Sequence, residues 1–211
     1  MKAISLLAQK GGTGKTTLSI HLAVRASTAG IKVLIVDIDP QRSATTWWQR
    51  RHEQKPELVQ GSGRELAGIL KVADSQNYGL VVIDSAPHSS EAARISARLS
   101  DRVYIPTRPA ILDLDAIGTS TDLVIEMGTP STIILNACPP PTLFGEAKIV
   151  SEARKALKTY DVPVCKVAIS QRAAFGHALI DGRAINEFEP GGKASMEIDR
   201  LWKILSSELK L

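Results

Sequence analysis

Near its amino terminus the chain reads Gln9-Lys10-Gly11-Gly12-Thr13-Gly14-Lys15-Thr16-Thr17. An apolar run, Ala3-Ile4-Ser5-Leu6-Leu7-Ala8, leads into it, and an amphipathic run, Leu18-Ser19-Ile20-His21-Leu22-Ala23-Val24, leads out. Strand, glycine-rich turn and helix in that order leave few folds open, because this is the context of a phosphate-binding loop in an α/β protein. The glycines let backbone N–H groups curl round a phosphate, and the helix start adds a favourable dipole. Lys15 brings positive charge to the β- and γ-phosphates, and the Thr16 hydroxyl is placed to ligate Mg²⁺. Gly11, Gly12, Thr13, Gly14, Lys15, Thr16 and Thr17 are therefore the candidate nucleotide-binding residues.

The standard pattern, G-x-x-x-x-G-K-[ST], wants glycine where this chain has Gln9. A second lysine, Lys10, stands instead ahead of Gly11-Gly12. The order K-G-G-x-G-K-T-T resembles the deviant Walker A motif of the ParA/MinD family of P-loop ATPases. The resemblance implies a three-layer P-loop NTPase fold, a mostly parallel sheet flanked by helices, with ATP and Mg²⁺ as cofactors. It also implies an ATP-sandwich homodimer in which Lys10 reaches the partner's phosphates.

Two further apolar runs end in acids. Lys32-Val33-Leu34-Ile35-Val36 stops at Asp37-Ile38-Asp39-Pro40-Gln41, and Leu80-Val81-Val82-Ile83 stops at Asp84. Continuous apolar runs of this length suit parallel strands buried on both faces. Acids at their carboxyl ends lie where open α/β sheets place ligands. Strand alternation predicts Asp37 and Asp39 on one side. The functional reading behind a phosphate loop puts Asp37 in the magnesium shell and Asp39 at the attacking water. Asp84, in a Walker B pattern, is expected to hold a magnesium-bound water. D-x-D-P-Q resembles the same family, where these roles are usual. His88 to Ser90 is expected to be a switch segment sensing the γ-phosphate, with His88 a surface residue rather than a base.

Elsewhere the spacing predicts helices from the loop to Ala29, stopped by Gly30, and over Ser43–Lys55, Arg64–Lys71, Glu91–Leu99, Glu146–Leu157 and Ser195–Leu209. Strands are expected at Arg102–Pro106, Thr132–Asn136 and Val164–Ile169, and loops at Pro56–Gly63 and Pro139–Pro141. One of Trp47 and Trp48 is expected in the core, the other at a subunit contact. Asn136, at a strand end, serves either as a reader of the adenine edge or as a turn former. The stretch from Pro106 to Ala116 resembles the I-P-x-x-P-x-x-L-D-L segment of short ParA proteins, which implies a place at the dimer interface near the nucleotide.

Composition narrows the function classes. The 211 residues suit one α/β domain, and no repeat or linker marks a second. The net charge of +4 is compatible with nucleic acid without pointing to it. Cys138 and Cys165 lack C-x-x-C spacing, so buried reduced thiols are expected rather than a metal or cluster. No stretch approaches the roughly eighteen apolar residues of a membrane span, and no signal peptide is visible, which predicts a cytoplasmic protein. The final helix, with Ile198, Leu201, Trp202, Leu205 and Leu209 at helical spacing, reads as core packing rather than a membrane anchor, and no basic tail follows it.

The carboxyl region, with Ser170-Gln171-Arg172, Gly182-Arg183 and Gly192-Lys193, resembles ParA-type proteins. The resemblance implies a nucleoid-associated partition or positioning ATPase that holds non-specific DNA, with Arg172, Arg183 and Lys193 as candidate phosphate contacts. A ParB-like or other cargo-bound protein would stimulate hydrolysis and release it. A MinD-like membrane-surface ATPase is the alternative. A dethiobiotin synthetase-like ligase or a reductase on the same fold is disfavoured by Lys10, the D-x-D-P-Q pair and the cysteine spacing.

Overall fold

The apolar runs become parallel strands buried on both faces. In this computed structural model, which describes residues 1–86, 90–143 and 145–211, the strands are β1 (Lys2–Leu6), β2 (Val33–Asp37), β3 (Glu57–Gln60), β4 (Leu80–Asp84), β5 (Arg102–Thr107) and β6 (Ser131–Leu135). Among the described residues they form one sheet in the order β3-β2-β4-β1-β5-β6, every pairing parallel. The chain therefore moves one way from β1 to build β2, β3 and β4, then the other way to build β5 and β6. Such a reversal opens a crevice at the carboxyl ends of the strands.

Alternation along each strand divides its side chains between two helical layers. Val33 and Ile35 of β2 join a core with α1 (Lys15–Thr28), α2 (Ser43–Gln49), α8 (Ala173–Ile180), α9 (Ile185–Phe188) and α10 (Lys193–Leu209). Leu34 and Val36 join the opposite face with Leu66 and Ala73 of α3 (Leu66–Ser75). On that same side Val103, Ile105, Ile133 and Leu135 pack against α4 (Ser90–Leu99), α6 (Gly118–Glu126) and α7 (Lys148–Leu157). A short helix, α5 (Ile111–Asp115), follows β5.

The expected core helix at the carboxyl end is present. Ile198, Leu201, Trp202, Leu205 and Leu209 of α10 are all buried, in one cluster with α1. Burial of each such side chain contributes about 1.5–3 kcal/mol. Trp47 is buried, while half-buried Trp48 donates from its indole to the Pro56 carbonyl at 3.0 Å.

Several expected elements differ. The helix begun at Ser43 stops at Gln49, not Lys55, because Arg51 turns away to donate to Glu187 and to the Lys55 carbonyl. The loop expected at Pro56–Gly63 contains the edge strand β3, whose exposed Glu57 and Gln60 hide it from an apolar-run search. The expected strand Val164–Ile169 does not form. The segment meets β6 at its two ends, by a bridge of Ile133 with Val164 and by Ile169 N–H donating to the Leu135 carbonyl at 2.9 Å, with a further bridge of Cys138 with Ser170 beyond it. Between them Arg154 takes the carbonyls of Cys165 and Lys166.

Candidate functional site

The glycine-rich loop leaves β1 and turns directly into α1. Gly12 and Gly14 have φ of +74° and +96°, a left-handed conformation that side chains resist. Gly14 is the N-cap of α1, and its carbonyl accepts from Leu18 N–H at 2.9 Å. A Cβ at Gly14 would collide with the Asn136 amide. Asn136 Nδ2 donates to the Thr13 carbonyl at 2.7 Å, so the strand end after β6 braces the loop. The amide nitrogen of Asn136 is thus turned on the phosphate loop itself.

Leu6, Asp84 and Asp37 stand in one row across β1, β4 and β2. Asp37 is fully buried; its Oδ1 accepts from Asp39 N–H at 3.1 Å and its Oδ2 from Thr45 N–H at 2.9 Å and Thr45 Oγ1 at 2.7 Å. Asp39, just past the strand, is nearly buried and caps Gln41 N–H through Oδ1 at 2.9 Å. Its backbone bond to Asp37 shows the two acids folded together in one turn rather than alternating along a strand.

Asp84 has no exposed surface. Ser19 Oγ donates to its Oδ1 at 3.2 Å, and its Oδ2 lacks a well-formed hydrogen bond. Burial pushes this carboxyl up to about 7; the Asp37 charge adds to the rise, while Thr16, Ser19 and Lys15 oppose it. Burial also pulls the Lys15 ammonium below the usual lysine range, against the attraction of Asp84 and Asp39. Thr13 Oγ1 is a second buried oxygen without a partner. The Asp84 carboxylate beside the Thr16 hydroxyl is an all-oxygen donor set of the kind a hard cation such as Mg²⁺ accepts. Among the described residues no three His, Cys, Asp or Glu side chains gather as a metal cage, so Thr16, Asp37 and Asp84 fit Mg²⁺ only with phosphate oxygens and water completing its shell.

The segment after β5 packs on the other flank of the loop. Arg108 donates to the Gly12 carbonyl, and Gln9 N–H donates to Ser120 Oγ at 3.2 Å. Lys10 Nζ lies 3.3 Å from Asp113 Oδ2 on α5. Sequence reasoning found the Pro106–Ala116 stretch but missed Arg108, Asp113 and Ser120 as neighbours of the loop. His88 and Ser89 of the expected switch lie outside the described residues.

The expected DNA contacts are distributed unevenly. Arg172 and Lys193 line one cleft of about 600 Å³, together with Gln171, Gly192 and Met196. Arg172 is engaged internally, its guanidinium 2.7 Å from Glu197 Oε1, whereas Lys193 is exposed at the start of α10. Arg183 lines a different cleft of about 360 Å³, where it pairs with Asp181 at 2.6 Å and covers the Phe188 ring.

An AAA domain family model matches residues 1–72. The maintenance of carboxysome distribution protein A of Gloeobacter kilaueensis is 33% identical over 99% of this chain and 94% of its own length. The chain belongs to the ParA/MinD family of P-loop ATPases. The sporulation initiation inhibitor protein Soj of Bacillus subtilis is 23% identical over 92% of this chain and 94% of its own. Among solved structures, apo McdA from Cyanothece superposes with a TM-score of 0.78 at 19% identity, over 95% of this chain and 98% of that one. The cell division ATPase MinD of Pyrococcus furiosus gives 0.78 at 18% identity over 98% of each chain. These likenesses establish the P-loop NTPase fold, here with an entirely parallel described sheet.

Proposed function

We propose that this chain, as one α/β domain, is an ATP-driven positioning ATPase. It binds ATP with Mg²⁺ at residues 11–17, closes as a homodimer around two nucleotides and holds non-specific DNA in that state. A ParB-like or other cargo-bound partner stimulates hydrolysis and releases it.

The observation that most supports this reading is Asp84, a fully buried carboxyl whose Oδ2 has no well-formed hydrogen bond, beside the Thr16 hydroxyl and behind a loop bent by two left-handed glycines. Buried polar atoms are almost always paired, and those that are not mark a place for a ligand or ion. Lys15 and the loop N–H groups neutralise the phosphate chain. Asp39, oriented by its own bond to Gln41, positions the attacking water, and Asp37 and Asp84 bear on the Mg²⁺ site. Bound Mg²⁺ would neutralise charge on the β- and γ-phosphate oxygens. Asn136 keeps its amide nitrogen on Thr13 and offers its oxygen to adenine.

Lys10 extends this into a switch. Supplied by one copy to the phosphates of the other, it makes dimer stability depend on the γ-phosphate, and hydrolysis weakens the bridge. Dimerisation doubles the basic surface carrying Arg172, Arg183 and Lys193, so affinity for DNA requires ATP and falls with salt. The name of the carboxysome distribution relative points to a large assembly as cargo. A membrane-surface role draws no support from α10, whose apolar face is spent on the core. No described helix is long and apolar enough to cross a membrane.

Co-sedimentation with non-specific duplex DNA tests the proposal. Binding with Mg-ATP and loss of binding with ADP or no nucleotide is expected; equal binding in all three states removes the nucleotide switch.

A further inference from the structure

The Lys10–Asp113 pair is unequal. The Lys10 side chain keeps about a third of its surface, whereas the Asp113 side chain keeps only 10%. Asp113 is also held in place, because its N–H donates to the Ala110 carbonyl at 2.9 Å. Ala110 and α5 follow directly from the buried end of β5 at Thr107. The lysine side chain is long and jointed, so it is the partner that can leave. When it does, a nearly buried carboxylate loses its cation, and breaking such a pair from one side is unfavourable.

The geometry points to Asp113 as a latch that holds Lys10 within its own chain and so opposes formation of the two-copy state. This rests on the proposed ATP-sandwich dimer and deepens it: Asp113 is a positioning residue, acting through Lys10, that sets how much ATP is needed to dimerise. Two effects add. Lys10 must be withdrawn from a carboxylate before it can meet a phosphate in the other copy. The carboxylate left behind is a negative charge on the flank of a loop that binds a polyanion, where it also repels. Arg108, two residues past the end of the β5 apolar run, binds the Gly12 carbonyl and keeps this segment against the loop, so the latch and the phosphate cradle are registered to each other.

The test is the concentration of a non-hydrolysable ATP analogue that gives half-maximal dimer, measured by sedimentation velocity with Mg²⁺ on the full chain. Asp113→Asn should lower that midpoint about threefold to tenfold, the range expected for a partly buried ion pair. Asp113→Glu, which restores the charge, should stay within about twofold of the native chain. Lys10→Gln should form no dimer. An unchanged or raised midpoint in Asp113→Asn, with Lys10→Gln still monomeric, overturns the latch and leaves the sandwich reading standing. A dimer in Lys10→Gln equal to the native one overturns the sandwich reading and the latch with it. Asp113→Ser is the second variant: the same lowered midpoint is required of whichever of the two keeps the native unfolding transition.

Discussion

Ser19 Oγ, on the second turn of α1, donates to Asp84 Oδ1 at the end of β4 across 3.2 Å. The bond ties the helix that starts at the phosphate loop to the acid buried behind it. Asp84 Oδ2 has no well-formed hydrogen bond, in a place with no exposed surface. The site thus stores an unfavourable charge that a bound cation would relieve.

This has an opposite effect on stability and on activity. The Asp84 carboxyl sits at about 7 in the folded chain, above its ordinary value, because burial disfavours its charge. Its contribution to stability is therefore full at acid pH and is lost as pH rises through about 7. At pH 8 without nucleotide, Asp84→Asn should be more stable than the native chain by about 1–3 kcal/mol, read from urea unfolding. The same variant should lose about 100-fold in ATP turnover, measured by phosphate release. A destabilised Asp84→Asn would remove the stored-charge account.

His21 gives the reverse pH dependence. It is fully buried, its Nδ1 accepts from Ile185 N–H at 3.1 Å, and burial pulls its pKa down to about 3. The unfolded chain takes up a proton near 6.5, which the folded chain refuses, so stability present above 6.5 is lost as pH falls. The slope is about 1.4 kcal/mol per pH unit between those values. Urea midpoints at pH 7 and pH 5 should differ by much less in His21→Gln than in the native chain.

Arg51 should be one of the costliest residues to remove outside the nucleotide site. Its side chain is 3% exposed and donates twice to Glu187, at 2.8 and 2.5 Å, and to the carbonyls of Lys55 and Gly182. Arg51→Ala leaves Glu187 and two carbonyls short of donors. A loss of about 3–5 kcal/mol in chemical denaturation is expected.

Asn136→Ala removes the brace on Thr13. The loop glycines then lose their fixed neighbour, and nucleotide affinity should fall about tenfold in a titration with fluorescent ADP, from loss of one buried hydrogen bond and of loop order. Unchanged affinity would show that the loop needs no support from β6.

The sequence carried the sheet centre and the phosphate loop because both depend on local signals. Buried parallel strands must be apolar throughout, and β1, β2, β4, β5 and β6 announce themselves that way. The loop needs its glycines at fixed offsets. β3 was hidden because it is a half-exposed edge, and α6 because Gly118, Thr119, Ser120 and Thr121 give it no strong apolar stripe. Val164–Ile169 has the composition of a strand, but Arg154 of α7 takes the Cys165 carbonyl that a continued ladder would offer to β6. The flank of the site was invisible for the same reason: no local pattern says that Asp113 meets Lys10 or that Arg108 meets Gly12.

The proposed dimer exists only while the γ-phosphate is in place. This dependence is tested most directly by the mass of Asp39→Ala in light scattering coupled to size exclusion, with Mg-ATP and with Mg-ADP. Asp39 positions water in this account, so the variant should bind ATP, fail to hydrolyse it and elute at twice the chain mass, returning to the monomer mass in ADP. A variant that stays monomeric in both nucleotides, or hydrolyses ATP at the native rate, would contradict it.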